Sequence, residues 1–193
     1  MKKRVFFVGL LSLATICVSA QKISGSVSPL KGQKEVNLVI DFSGTTVNGK
    51  PEAQYVEAET KVRATDEEKT TWLKEWNEDL RTRAYEKFTH HFNLEKSENA
   101  FSVGDYPSAE YTMTVKVVNI TTGYFAGPMG RPSVLYTKIS IVKKGESTPI
   151  ATTEYKKISS PMSYTLPVLT ERIAMSFGKN GEHFAKVING HLK

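Results

Sequence analysis

DEEKTTWLKEWNEDLRTRAYEKFTHHF, residues 66–92, is the stretch on which the fold turns. Trp72, Trp76, Leu80, Ala84, Phe88 and Phe92 recur every four residues, Leu73 and Tyr85 widen the stripe, and Lys74, Glu78, Asp79, Arg81 and Arg83 occupy other faces. That spacing predicts an amphipathic helix of about seven turns. Asp66, Glu67 and Glu68 open it, where the positive end of the helix dipole favours acidic side chains. Burying two Trp and two Phe takes roughly several hundred square ångströms of apolar surface out of water, on the order of 10 kcal/mol before conformational entropy is subtracted. A helix with so broad an apolar stripe must lie on a sheet.

Strand patterns flank it on both sides. Val36, Leu38, Ile40 and Phe42 alternate with Asn37, Val39 and Asp41, the period of a half-buried strand. Downstream come a short Phe101–Val103 piece, then Tyr111, Met113, Val115 and Val117 alternating with Thr112, Thr114, Lys116 and Val118. Leu135–Val142 and Ile150–Ile158 read as a hairpin around Lys144-Gly145-Glu146. Leu169, Ile173, Phe177, Phe184 and Leu192 follow helical spacing, with Gly178 and Gly181 expected to bend or interrupt the run. Residues 52–65 show no convincing period beyond a short strand or arm. The expected architecture is α+β: a mostly antiparallel sheet of about four strands, covered on one face by two helices, in the order β-α-β-β-β-α.

Met1–Ala20 combines a basic start (Lys2, Lys3, Arg4), an apolar run from Val5 to Ile16, and small or compact residues at Val18, Ser19 and Ala20 before Gln21. These are the three regions of a secretory signal peptide. The run is too short for the roughly 20 apolar residues that span a bilayer as a helix, and no later segment reaches that length. Processing after Ala20 removes three of the 26 bases and leaves 23 against 20 acids, a net charge of +3 in place of +6. A protein that coats nucleic acid is excluded on that balance. Cys17, the single cysteine, goes with the signal, and with it go disulfides, thiolate metal sites and cysteine nucleophiles. Ile16 before it is a poor residue for lipoprotein processing, so a lipid anchor at Cys17 is not expected. The expected organisation is a signal peptide over 1–20, a flexible lead-in over 21–34 and one α+β domain over 35–193.

Chemistry is sparse. His90 and His91 are adjacent, so on a helix their side chains diverge by about 100° and one metal cannot readily take both. His183 and His191 stand two turns apart. Asp41 ends a strand but lacks the surroundings of an aspartic protease and reads as a turn initiator. No nucleophile elbow, phosphate loop or His-Glu-x-x-His motif is present, so no enzyme activity, no cofactor and no metal site is expected. Trp72 and Trp76 read as core in preference to a ligand groove. Lys143-Lys144 and Lys156-Lys157, on adjacent strands, read either as one anionic-surface patch or as edge lysines that discourage aggregation. The one segment that burial does not explain is residues 123–132, GYFAGPMGRP, with Tyr124, Phe125, Met129 and Arg131 between glycines and prolines. Two readings compete: a binding loop built on those four residues, or aromatics folded back to plug the core.

Leu30–Glu35, Asp41-Phe42-Ser43, Trp72–Trp76 with Arg81–Phe88, and Val103–Pro107 running into Ala109-Glu110-Tyr111 resemble a group of uncharacterised exported proteins common in Bacteroidetes. The resemblance implies an envelope location and a shared fold, and carries no assigned activity. The expectation is therefore a non-enzymatic module, exported to the periplasm or cell surface, that binds a protein or other component of the envelope. The alternatives are a carrier holding a lipid-like ligand between helix and sheet, and a small hydrolase with no recognised signature.

Overall fold

The four-residue stripe forms one long helical rod, and the way it winds decides what it touches. In the computed structural model, which describes residues 22–127, 129–160 and 165–192, the rod begins as α2 (Asp66–Lys74), passes through a π turn (Glu75–Asp79) and continues as α3 (Leu80–Glu95). Its N-cap is Thr65, whose side chain accepts from the Glu68 amide while the Glu68 carboxylate accepts from the Thr65 amide. Residues of an α-helix turn by about 100° each, so a four-residue period drifts by about 40° per step and the stripe spirals. The wider π turn slows that rotation locally. Trp72 and Trp76 consequently face Tyr55, with ring centroids 6.3 and 5.0 Å away. Phe92, four turns on, meets Phe101 at 5.7 Å and Phe184 at 6.2 Å.

Tyr55 belongs to a helix that the sequence pattern does not show, α1 (Glu52–Lys61), in which it is the one buried residue. The remaining elements are β1 (Ser24–Gly25), β2 (Glu35–Asp41), β3 (Thr46–Val47), β4 (Lys50–Pro51), β5 (Ser102–Gly104), β6 (Tyr111–Thr121), β7 (Val134–Lys143), β8 (Pro149–Ile158) and α4 (Leu169–His191). Ahead of β2, in the segment read as a lead-in, Ser24–Gly25 pairs with β8, and Val27 and Leu30 are buried in the core. Met1–Ala20, expected to be an export signal, and Cys17 within it lie outside the described residues.

The fold is α+β, but the expected four-stranded, mostly antiparallel sheet under two helices is overturned. Eight strands form a mixed sheet in the order β1-β8-β7-β6-β2-β5, with the β3–β4 hairpin attached to β6. Within it, β2 runs parallel to both β5 and β6, and β3 runs parallel to β6. The cause is the helical crossover. A chain that leaves β2 and returns over one face of the sheet arrives beside it in the same direction. The antiparallel pairs are the β6-β7-β8 meander and the β3–β4 hairpin, each joined by a direct connection, and the short β1 against β8.

Both long rods cover the same face. Phe88, Phe92, Phe177 and Phe184 on the helices, and Met113, Val115, Leu135 and Ile139 on the strands, are buried together. The glycines at 178 and 181 do not break α4, which runs continuously and turns both of them toward α3. The opposite face carries Thr112, Thr114, Lys116, Tyr136, Lys138 and Ser140, partly exposed. Among the described residues, no helix is long and apolar enough to cross a membrane.

Candidate functional site

The β6–β7 connection, 122–133, is a narrow antiparallel arm whose two roots are fastened. At one root, the Thr122 amide donates to Asn48 Oδ1 at 3.0 Å, and the Asn48 side-chain amide donates to Thr122 Oγ1 at 3.0 Å. Asn48 sits at the β3–β4 turn with φ 50, a left-handed conformation that Asn tolerates better than most residues. At the other root, fully buried Ser133 accepts at its carbonyl from Ser176 Oγ of α4, at 2.9 Å. Gly123 follows the first root with φ +63, and a Cβ there would lie 2.4 Å from the Arg131 carbonyl oxygen. The strands of the arm close on each other only because residue 123 has no side chain.

Beyond that point the arm pairs with itself. Tyr124 and Arg131 exchange both main-chain hydrogen bonds, at 3.0 and 2.9 Å, and the tip closes through Met129 N to Ala126 O at 3.1 Å and Gly130 N to Gly127 O at 3.0 Å. Tyr124 is 47% exposed, Phe125 51% and Met129 78%, and Arg131 is exposed as well. The structure therefore brings all four residues singled out in the sequence onto one arm. It also overturns the competing reading in which the aromatics plug the core. Segment 122–134 contains Arg131 and no acidic residue.

Around the arm's base stand cations that the sequence did not connect with it. Lys50 is exposed on β4, next to the Asn48 clasp, and Lys156 and Lys157 are exposed where β8 ends beside the start of β7. Lys143 and Lys144 lie at the other end of the β7–β8 hairpin, where Lys143 pairs with Glu110 at 3.3 Å and Lys144 reaches the Pro107 carbonyl. The four lysines do not form one patch, because antiparallel pairing puts the end of β7 beside the start of β8.

Several titratable groups away from the arm serve the scaffold. Asp41 accepts from the Ser43 amide at 2.8 Å, as a turn initiator does, and its hydrogen bond with Lys116 holds its carboxyl down at about 2. The Trp76 indole donates to Glu52 at 2.8 Å; Glu52 also pairs with Arg81, whose guanidinium lies 4.6 Å from the Phe42 ring centroid. Burial pushes the Tyr55 hydroxyl up to about 12. Arg172 is buried and donates to the Leu166 and Pro167 carbonyls at 2.7 and 2.8 Å. His91 packs against Gly178, and burial lowers the proton affinity of both His91 and His183. Trp76, Phe88 and Phe92 fill the layer between helix and sheet that a lipid-like ligand would have to occupy, and the gap beside Ile23, Ile139 and Phe184 is too small for a water molecule.

No protein-family model matches the chain, and no curated protein matches it. Among solved structures it is similar to PelC from Paraburkholderia phytofirmans, crystallised as a dodecamer, with a TM-score of 0.43 and 8% identity over 84% of this chain and 97% of that one. A point variant of the same PelC dodecamer gives 0.42 and 12% identity over 87% and 96%. A Xanthomonas campestris protein described under family model DUF330 gives 0.34 and 8% identity over 88% and 94%.

Proposed function

We propose that this protein is an exported, non-enzymatic binding module of the cell envelope, and that Tyr124, Phe125, Met129 and Arg131 are its contact residues. The observation that carries the reading is the arm itself: a hairpin fastened at both roots that holds two aromatic rings and a thioether about half or more in water. Keeping such side chains out of the core forgoes their burial, which is a reason to expect them to be buried against something else. Export is supported by the three-part pattern of Met1–Ala20. The turn role of Asp41 and the scaffold roles of Glu52, Arg81 and Arg172 speak for binding over hydrolysis.

The test is crosslinking in intact envelopes followed by pull-down, comparing the parent chain with Tyr124→Ala and Arg131→Ala. Loss of captured material with both variants, at unchanged expression and folding, is the expected result. Equal capture would remove the arm from the contact surface.

A further inference from the structure

Resting on that reading of the arm, we infer that its partner is the surface of an anionic phospholipid bilayer, into which the tip sinks Phe125 and Met129 while Arg131 stays among the headgroups. Three observations favour a bilayer over a protein groove. The arm's Tyr124 and Arg131 spend their main-chain groups on each other, and the tip turns satisfy the Met129 and Gly130 amides. It can therefore leave water without stranding those donors, as any backbone entering a lipid phase must. Its length fits as well: Gly127, at the turn, lies three residue steps beyond Tyr124, about 10 Å in extended conformation, and interfacial elements bury their apolar side chains to about 5–10 Å.

Charge supplies the third observation. The arm bears no carboxylate and carries Arg131, and Lys50 on β4 and Lys156 and Lys157 on β8 are exposed at the end of the sheet where the arm is rooted, so that apolar residues lead and cations follow, the order in which a bilayer presents its own layers to an incoming tip. Aromatic rings with one polar edge, such as Tyr124, belong at the boundary between the two. Val168, 45% exposed at the start of α4, lies at the same end of the molecule, since Ser176 one helical stretch later bonds Ser133. The exposed Val62, by contrast, stands in the α1–α2 corner among Glu59, Asp66, Glu67 and Glu68 and is no part of the proposed contact.

The experiment is flotation of the purified full chain with vesicles of phosphatidylethanolamine and phosphatidylglycerol, against vesicles of phosphatidylcholine alone. The parent should float with the anionic vesicles and detach as salt is raised. A Phe125→Ser, Met129→Ser double variant should lower the vesicle-bound fraction by about tenfold or more, and Arg131→Gln by about fivefold on anionic vesicles only. In Phe125→Trp, the emission difference from the parent should shift to the blue and be quenched by brominated lipid. Equal flotation of parent and double variant, or no flotation of the parent, overturns the inference. If vesicles are not bound but envelope crosslinking still depends on Tyr124 and Arg131, the binding-module reading stands and the partner is a protein.

Discussion

Gly181 of α4 lies directly against the backbone of Phe88 on α3: a Cβ at 181 would stand 2.4 Å from the Phe88 carbonyl oxygen. The two rods are parallel, with Arg83 paired to Glu171 near their starts and Asn189 donating to the Glu95 carbonyl near their ends. Their close approach depends on the missing side chain, which is why both can cover one face of the sheet while Phe88 and Phe184 stay buried.

Gly181→Ala is expected to destabilise the fold by roughly 2–4 kcal/mol, because the obstacle is main chain and cannot rotate away. Gly190→Ala, on the same helix with nothing within 4 Å of its Cβ, should stabilise by about 0.5–1 kcal/mol. Urea unfolding of both variants measures the pair; a similar effect at the two sites would mean that α3 and α4 do not meet at Gly181.

Trp76→Ala should cost roughly 3–5 kcal/mol, since the side chain is fully buried between Tyr55 and Trp72. Trp76→Phe should cost less but still about 1–3 kcal/mol, as Glu52 loses a donor in a partly buried setting. An unfolding midpoint unmoved by Trp76→Ala would contradict the helix placement.

Tyr124→Ala and Arg131→Ala should each shift stability by no more than about 0.5 kcal/mol, the usual range for exposed positions. Gly123→Ala should be far worse, since φ +63 and the Arg131 carbonyl both oppose a Cβ. Thermal unfolding of the three variants separates tip from root, and a severe loss with Tyr124→Ala would return that ring to the core.

Acidification should weaken the protein in two windows. Burial holds His91 and His183 below their ordinary 6.5, so the unfolded chain binds protons first; their contribution is complete above 6.5 and declines as pH falls through their lowered values. For Glu182, burial acts upward, yet hydrogen bonds with Lys186 and Lys179 outweigh it and hold the carboxyl at about 2, as the bond with Lys116 does for Asp41. Those contributions are present above about 4.5 and vanish toward pH 2. Urea midpoints across pH should show both declines, and His91→Gln should flatten the upper one. A midpoint that rises on acidification from pH 7 to 5 would reverse the sign argued for the histidines.

Legibility followed the range of each interaction. The Trp72–Phe92 stripe, β2 and the β6–β8 meander are written locally, because periodic burial of one face leaves the same alternation wherever the partner lies. Helix α1 escaped because it buries little besides Tyr55 and so has almost no stripe to read. The arm's composition marked it as unusual, but Tyr124 and Phe125 have the same identity whether they plug a core or face water. Only the clasps at Asn48 and Ser176 decide that they project.

The residues alone determine the long helical stripe, the C-terminal helix, β2 and the β6–β8 strands, and mark which loop stands apart, since those follow from spacing, capping and turn chemistry along the backbone. The tertiary structure alone decides that β2 runs parallel to β6, that Gly178 and Gly181 are spacers between two helices, and that four side chains share an exposed arm. Each of these depends on which distant surface arrives opposite a residue, and hydrophobic periodicity is identical for a strand paired in either direction or a helix crossed at any distance.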